Sequence, residues 1–152
     1  MGTRSSYRFV EKSTKTKKSK IYANVYFQYD GYPEGHPLDA ANWLNNGKVV
    51  NGFSLKNETL QFNGIGCLIA QFIAKFKTGI GNVYFEPIEN WGNCGEDYIY
   101  EIEVIDNSKI VFTAFAYNWE KSKFEKIFKG SPKQFCEKIT FYLQNKNLSN
   151  VH

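Results

Sequence analysis

The chain is poor in the residues that build metal centres and covalent frameworks. It has three cysteines, two histidines, four prolines and one methionine in 152 residues. Cys67, Cys94 and Cys136 are odd in number and widely spaced. That argues against a disulfide framework and a zinc site, and it points to reducing, cytoplasmic surroundings. One of the two histidines is the last residue, His152, so a histidine-rich metal centre is excluded; no metal and no cofactor are expected. Long apolar runs are missing too. The most apolar stretch, residues 68–76, is broken by Gln71 and Lys75, so no membrane span is expected, and nothing reads as a signal peptide. The opening Met1-Gly2-Thr3-Arg4-Ser5-Ser6 matches the loose myristoylation pattern, but removal of Met1 to leave a free glycine is the expectation.

What is present is a foldable chain. Apolar residues make up 42% and aromatic residues 17%, well above a disordered composition, and the length suits one domain over residues 1–152. The net charge is +4, and residues 12–20 (KSTKTKKSK) hold five lysines with no acid and no apolar residue. Such a run reads as a solvated basic loop. A nucleic-acid arm is the alternative, but no basic helix or nucleic-acid motif accompanies it.

Periodicity then orders the elements. Residues 7–10 read as a short strand. Residues 21–29 alternate, with Ile21, Ala23, Val25, Phe27 and Tyr29 on one face. A helix is predicted over 37–46, with Pro37 at its first position and Gly47 just past its end. A loop is expected at 48–62, then a helix over 67–76 with Leu68, Ile69, Phe72, Ile73 and Phe76 buried. Strands follow at 83–86, 97–105, 109–117 and 123–129, with turns at 106–108 and 118–122. Ser131, Pro132 and Gln134 spell a capping box for a last helix whose stripe is Phe135, Ile139, Tyr142 and Leu143. Residues 145–152 read as a loose tail. The order lacks the alternation of a doubly wound fold. An α+β domain is expected, with a largely antiparallel sheet and about three helices packed on one face.

Three polar stretches interrupt the core pattern. Residues 28–36 place Tyr29, Asp30, Tyr32, Glu34 and His36 in one strand-to-helix loop, either a plain turn or a ligand loop. Asn63-Gly64-Ile65-Gly66-Cys67 opens a helix, where free N–H groups and the dipole favour an anion; close helix packing explains the glycines equally well. Cys67 paired with His36 would make a cysteine nucleophile, although a cysteine in an apolar helix is more often a small core residue. Residues 91–98 carry the adjacent acids Glu96 and Asp97, which as strand neighbours are expected to point apart and to be solvated.

These same residues carry a resemblance. The start Met1-Gly2-Thr3-Arg4-Ser5, Gln28-Tyr29-Asp30-Gly31-Tyr32-Pro33 with Gly35-His36, and Val50-Asn51-Gly52 are its first part. Phe62-Asn63-Gly64-Ile65-Gly66-Cys67-Leu68, Ala70-Gln71 and Gly95-Glu96-Asp97-Tyr98-Ile99-Tyr100 complete it. Together they resemble a family of small proteins widespread in bacteriophages, large DNA viruses and some bacteria. The resemblance spans residues 1–102. The lysine loop is longer and more basic than the short hairpin it implies. It implies no particular reaction, so no catalytic role carries over.

The functional expectation is a non-enzymatic binder of a small anionic, nucleotide-like ligand, virus-encoded and acting in the host cytoplasm against defence signalling. Aromatic faces for stacking, arginines for phosphate and a glycine-rich helix start are the parts that suit it. The expected ligand set is Arg4, Ser5, Tyr29, Asp30, Tyr32 and His36 at the N-terminal side. Asn63, Gly64, Gly66, Cys67 and Gln71 join it from the second helix, and Glu96 and Tyr98 from the third polar stretch. The alternatives are a hydrolase, using Cys67 and His36 or acting on a nucleotide through Asp30 and Glu96, and an inhibitor that binds a host protein.

Overall fold

The structure is a computed structural model and describes residues 2–52 and 59–149. Six strands form one sheet: β1 (Ser5–Lys12), β2 (Ser19–Phe27), β5 (Val83–Glu86), β6 (Tyr98–Ile105), β7 (Lys109–Asn118) and β8 (Lys123–Gly130). Their order across the sheet is β5-β2-β1-β6-β7-β8. Every neighbouring pair is antiparallel except β1 and β6, which run parallel with Ser5 opposite Tyr98. Three helices, α1 (His36–Asn45), α2 (Gly64–Phe76) and α3 (Pro132–Ser149), complete the α+β architecture.

Strand alternation divides the sheet into two faces. Tyr7, Phe9, Ala23, Val25, Phe27, Tyr100, Ile102, Val104, Phe112 and Ala114 join one buried cluster with Ala41 and Leu44 of α1, Leu68 and Phe72 of α2, and Phe135 and Ile139 of α3. All three helices therefore cover one face, and hydrophobic burial there is the main driving force. Phe72 is the hub, with ring centroids 5.1 Å from both Tyr7 and Phe9 and 4.8 Å from Phe76. On the opposite face Arg8 is ion-paired to Glu101, and its guanidinium lies 3.8 Å from the Trp91 ring centroid. The Trp91 indole donates to the Tyr100 carbonyl at 3.1 Å, which holds the segment after a single 3-10 turn (Ile88–Asn90) against the strands.

The predicted elements all form, with corrections to their bounds and faces. The expected loop at 48–62 carries two short strands in its described parts, β3 (Gly47–Val50) and β4 (Leu60–Asn63), paired in parallel as a separate ribbon. Residues 53–58 lie outside the described residues. The second helix begins at Gly64, not at residue 67, because Gly64 at φ +80° turns directly out of β4. The β1–β2 register slips between Phe9 and Val10, with Tyr22 the extra residue in β2, so Ala23 pairs with Phe9 but Ile21 with Val10. That bulge takes Ile21 off the core face, and Tyr29 falls beyond the strand end; both are exposed. Finally, α3 continues to Ser149 through most of the expected tail, and Tyr142 is half-exposed instead of joining the apolar stripe. Gln144, Asn145 and Lys146 contain no helix breaker, which is why nothing stops α3 earlier.

The lysine stretch is shorter as a loop than expected, since β1 runs through Lys12 and β2 starts at Ser19. Its turn is clasped to the β6–β7 turn: the Asp106 carboxylate accepts the Thr14 N–H at 2.9 Å and the Thr14 hydroxyl at 2.6 Å. These bonds lower the Asp106 carboxyl below its ordinary range. Among the described residues no helix is long and apolar enough to cross a membrane.

Candidate functional site

The parallel pairing of β1 with β6 puts the starts of both strands at one end of the sheet. There the Asp97 carboxylate accepts the Arg4 N–H at 3.1 Å, and the Arg4 carbonyl accepts the N–H groups of Asp97 (2.9 Å) and Tyr98 (3.3 Å). The antiparallel return of β7 sets Ala116 opposite Tyr98, and Tyr117 N–H donates to the Asp97 carbonyl at 2.9 Å. Between these segments lies a cleft of about 520 Å³, lined by Gly2, Thr3, Arg4, Asp97, Tyr98, Ala116, Tyr117 and Trp119. Trp119 is 76% exposed and stands edge-on to Tyr117 with centroids 4.7 Å apart. A bare tryptophan at a cleft mouth is the group most readily covered by a flat ligand.

Residues 28–36 do not open into this cleft as a ligand loop; they fold onto the strand ends. Asp30 sits at φ +56°, Gly31 N–H donates to the Thr3 carbonyl at 3.0 Å, and His36 N–H to the Asp30 carbonyl at 3.0 Å. The Tyr100 hydroxyl reaches the Gly31 carbonyl at 2.7 Å. A Cβ at Gly31 would stand 2.5 Å from Ser5 Oγ, so only glycine fits there. His36 is mostly buried. Its Nδ1 lies 2.7 Å from the Tyr7 hydroxyl and its Nε2 3.1 Å from Ser5 Oγ, with the ring stacked on Phe27 at 4.1 Å. Burial lowers its pKa to about 3, so the imidazole is neutral, and burial also holds the Tyr7 phenol well above its ordinary value. The neutral ring satisfies every group when Tyr7 O–H donates to Nδ1 and Nε2–H donates to Ser5. Ser5 and His36, expected in a ligand site, are instead structural.

Glu96 is likewise withdrawn. It is 4% exposed, and its carboxylate accepts the N–H groups of Gly92 (2.6 Å) and Cys94. The glycines at φ +79° (Gly92) and +75° (Gly95) let the chain curl around it. The expectation of a solvated or ligand-binding Glu96 is therefore corrected: it staples its own loop. Glu96 and Asp97 both precede β6 and take different partners, Glu96 its own loop and Asp97 the Arg4 N–H. The Arg4 guanidinium lies against Gly95, and its charge acts on the Tyr26 phenol. Burial raises Tyr26 despite that cation, and burial and Glu96 raise the Cys94 thiol.

The second-helix residues lie elsewhere. A Cβ on Gly64 would stand 3.7 Å from Asn107 Oδ1, at the turn that ends β6. The eight residues of β6 separate that turn from Tyr98 by roughly 23 Å. Asn63 Oδ1 accepts the Gly52 N–H at 2.8 Å, Gly66 faces open space, and Cys67 Sγ donates to Gln71 Oε1 at 2.9 Å. With both ring nitrogens of His36 on Ser5 and Tyr7, the alternative Cys67–His36 pair is not formed. The expected set thus splits. Arg4 and Tyr98 line the cleft and Tyr29 packs against its Gly2 at the margin; Asp30 and Tyr32 lie on the folded loop; Gly64 lies at the far end with Asn63 before it, and Gly66, Cys67 and Gln71 follow along α2, outside the cleft lining.

The cleft residues that the sequence left unmarked are Gly2, Thr3, Asp97 as a lining group, Ala116, Tyr117 and Trp119. A tryptophan in the otherwise polar turn at 118–122 was the available signal. No cluster of metal-ligating side chains occurs among the described residues. Comparison with protein-family models, with curated proteins and with solved structures finds no match for this chain.

Proposed function

We propose that the protein binds a small nucleotide-like anion in the cleft at the start of β1 and β6 and does not alter it chemically. The observation that carries this reading is the aromatic wall of that cleft, with Trp119 left 76% exposed beside Tyr117 and Tyr98. Stacking of a base on such a ring contributes about 1–3 kcal/mol. Arg4, a lining residue whose guanidinium rests against Gly95, is the cation for phosphate in this reading, and Asp97 supplies an acceptor for ribose hydroxyls or an exocyclic amine. A bare inorganic phosphate would meet the Asp97 carboxylate without that compensation, so the balance of charges favours a nucleotide over a simple anion. Binding is preferred to turnover because His36 is engaged at both nitrogens and lies outside the cleft lining. The resemblance to a protein family of bacteriophages, large DNA viruses and some bacteria extends the proposal: the ligand would be a host signalling nucleotide, sequestered by a virus-encoded protein.

The test is the melting temperature with AMP, cyclic AMP and ADP-ribose, each at 1 mM. Saturation a hundredfold above Kd adds about 2.7 kcal/mol of stability and raises the melting point by several degrees. Trp119→Ala is expected to abolish the shift while leaving the unliganded melting point within a degree. Absence of a shift with all three nucleotides overturns the reading. Recovery of a cleaved nucleotide after incubation would replace binding by hydrolysis.

A second reading, docking of a host protein, is favoured by the β5 edge. Phe85 (69% exposed) and Tyr84 lie on that strand, with exposed Ile80 in the segment before it and Ile88 in the turn after it. Phe85→Ser would then abolish capture of the partner and leave nucleotide shifts intact.

A further inference from the structure

A second cleft adjoins the first. It encloses about 370 Å³ between β8, α3 and the loop before α1, and Tyr98 and Ala116 line both clefts. These two residues face each other across β6 and β7, so the ridge between the clefts is one residue pair wide. The second cleft is the more apolar, floored by Phe128, Phe135 and Ile139 and walled by Ile127 and Tyr142. Its charged groups are Glu34 and Lys138, one of each sign, and Lys138 donates to the Ile127 carbonyl at 3.0 Å. Half-exposed Tyr142 offers a second aromatic face, the counterpart of Trp119 in the first cleft. Together the volumes approach the upper end of the roughly 300–1,000 Å³ that single small ligands occupy.

We infer that the two clefts are the lobes of one site and that its ligand is a dinucleotide, two ring systems joined by a phosphodiester that crosses the Tyr98–Ala116 ridge. The inference rests on the nucleotide reading of the first cleft and names the ligand class. Tyr98 supplies the junction chemistry. Its phenol keeps its proton, raised by burial and then by Glu34, Asp97 and Tyr142, so it is a donor for a linker oxygen. Glu34 and Tyr142 line the second lobe, Asp97 lines the first, and Tyr98 itself lines both. The carboxylates Glu34 and Asp97 on either side favour a linker with one negative charge over a pyrophosphate with two. Each lobe then holds one ring on an aromatic wall, Trp119 and Tyr117 in the first, Tyr142 in the second.

Calorimetric titration of the full chain with the 3′–5′ diadenosine monophosphate ApA and with AMP tests this. The wild type is expected to bind ApA at least tenfold more tightly than AMP. Tyr142→Ala and Ile127→Glu, both at exposed positions of the second lobe, are expected to lower ApA affinity about tenfold and leave AMP unchanged. Circular dichroism melts establish that both variants fold. If ApA binds no more tightly than AMP and neither variant alters it, the two-lobed site is overturned while the single-cleft reading stands. If neither nucleotide binds the wild type, the first reading falls and this one with it.

Discussion

At the scale of the residue, His36 is the side chain whose role departs furthest from its chemistry on paper. As the one histidine inside the chain, in a polar loop, it invited a catalytic or ligand role. The fold uses it as a neutral bridge between Ser5 and Tyr7, stacked on Phe27. The cost of that use is acid sensitivity. Its pKa is about 3 when folded against an ordinary value of 6.5, so between these values the unfolded chain binds a proton that the folded chain refuses. Stability is therefore fully present above about pH 7 and falls as the pH drops through 6.5 towards 3. From pH 7.5 to pH 5.0 the loss from this group is about 2 kcal/mol. Tyr7 does not interfere, because its phenol stays protonated throughout that range. Urea unfolding at the two pH values measures the drop, and His36→Gln is expected to remove it. Equal wild-type stability at both pH values would show that the imidazole is not held neutral by burial.

At the scale of the element, the sequence was most legible where local chemistry suffices. The capping box at Ser131 forms with both of its bonds: Gln134 N–H donates to Ser131 Oγ at 3.1 Å and Ser131 N–H to Gln134 Oε1 at 2.9 Å. Ser131→Ala is accordingly expected to cost about 1 kcal/mol, or about 3 °C in melting temperature, with an unchanged urea m-value. A shift under half a degree would mean that α3 is held by packing alone. The β6–β7 turn was equally readable, with Asp106 and Asn107 both left-handed as a tight hairpin demands. Alternation succeeded for Ala23, Val25 and Phe27 and failed at Ile21, because a bulge is a property of the pair of strands and not of one of them. The parallel contact of β1 with β6 was illegible for the same reason. Alternation tells which face a residue takes, not which strand lies beside it. The cleft inherits that blindness, since its lining comes from the N-terminal segment, β6, β7 and the turn that follows. Arg4 and Tyr98 were found because their motifs stood out. Trp119 was missed because no periodicity governs a turn.

At the scale of the whole molecule, the lysine turn and the cleft occupy opposite ends of the sheet. The eight residues of β1 run from Ser5 beside the cleft to Lys12 at the turn, roughly 23 Å. Lys15, Lys17 and Lys18 are exposed there, tethered through Thr14 to Asp106 and not to any cleft residue. Their reach is set by salt. The Debye length is about 8 Å at 0.15 M ionic strength and about 30 Å at 0.01 M, so the cations are screened from a ligand in the first case and not in the second. Replacing all three by alanine is expected to leave the Kd for AMP within twofold at 0.15 M. At 0.01 M the same replacement is expected to slow association severalfold, through the loss of long-range steering. Stopped-flow quenching of tryptophan fluorescence by AMP, run at both ionic strengths, reads the two quantities directly. A large rise in Kd at 0.15 M would place the nucleotide at the lysine end of the sheet and empty the proposed cleft of its role. An unchanged Kd there, with slower association only at low salt, separates the turn, which attracts, from the cleft, which holds.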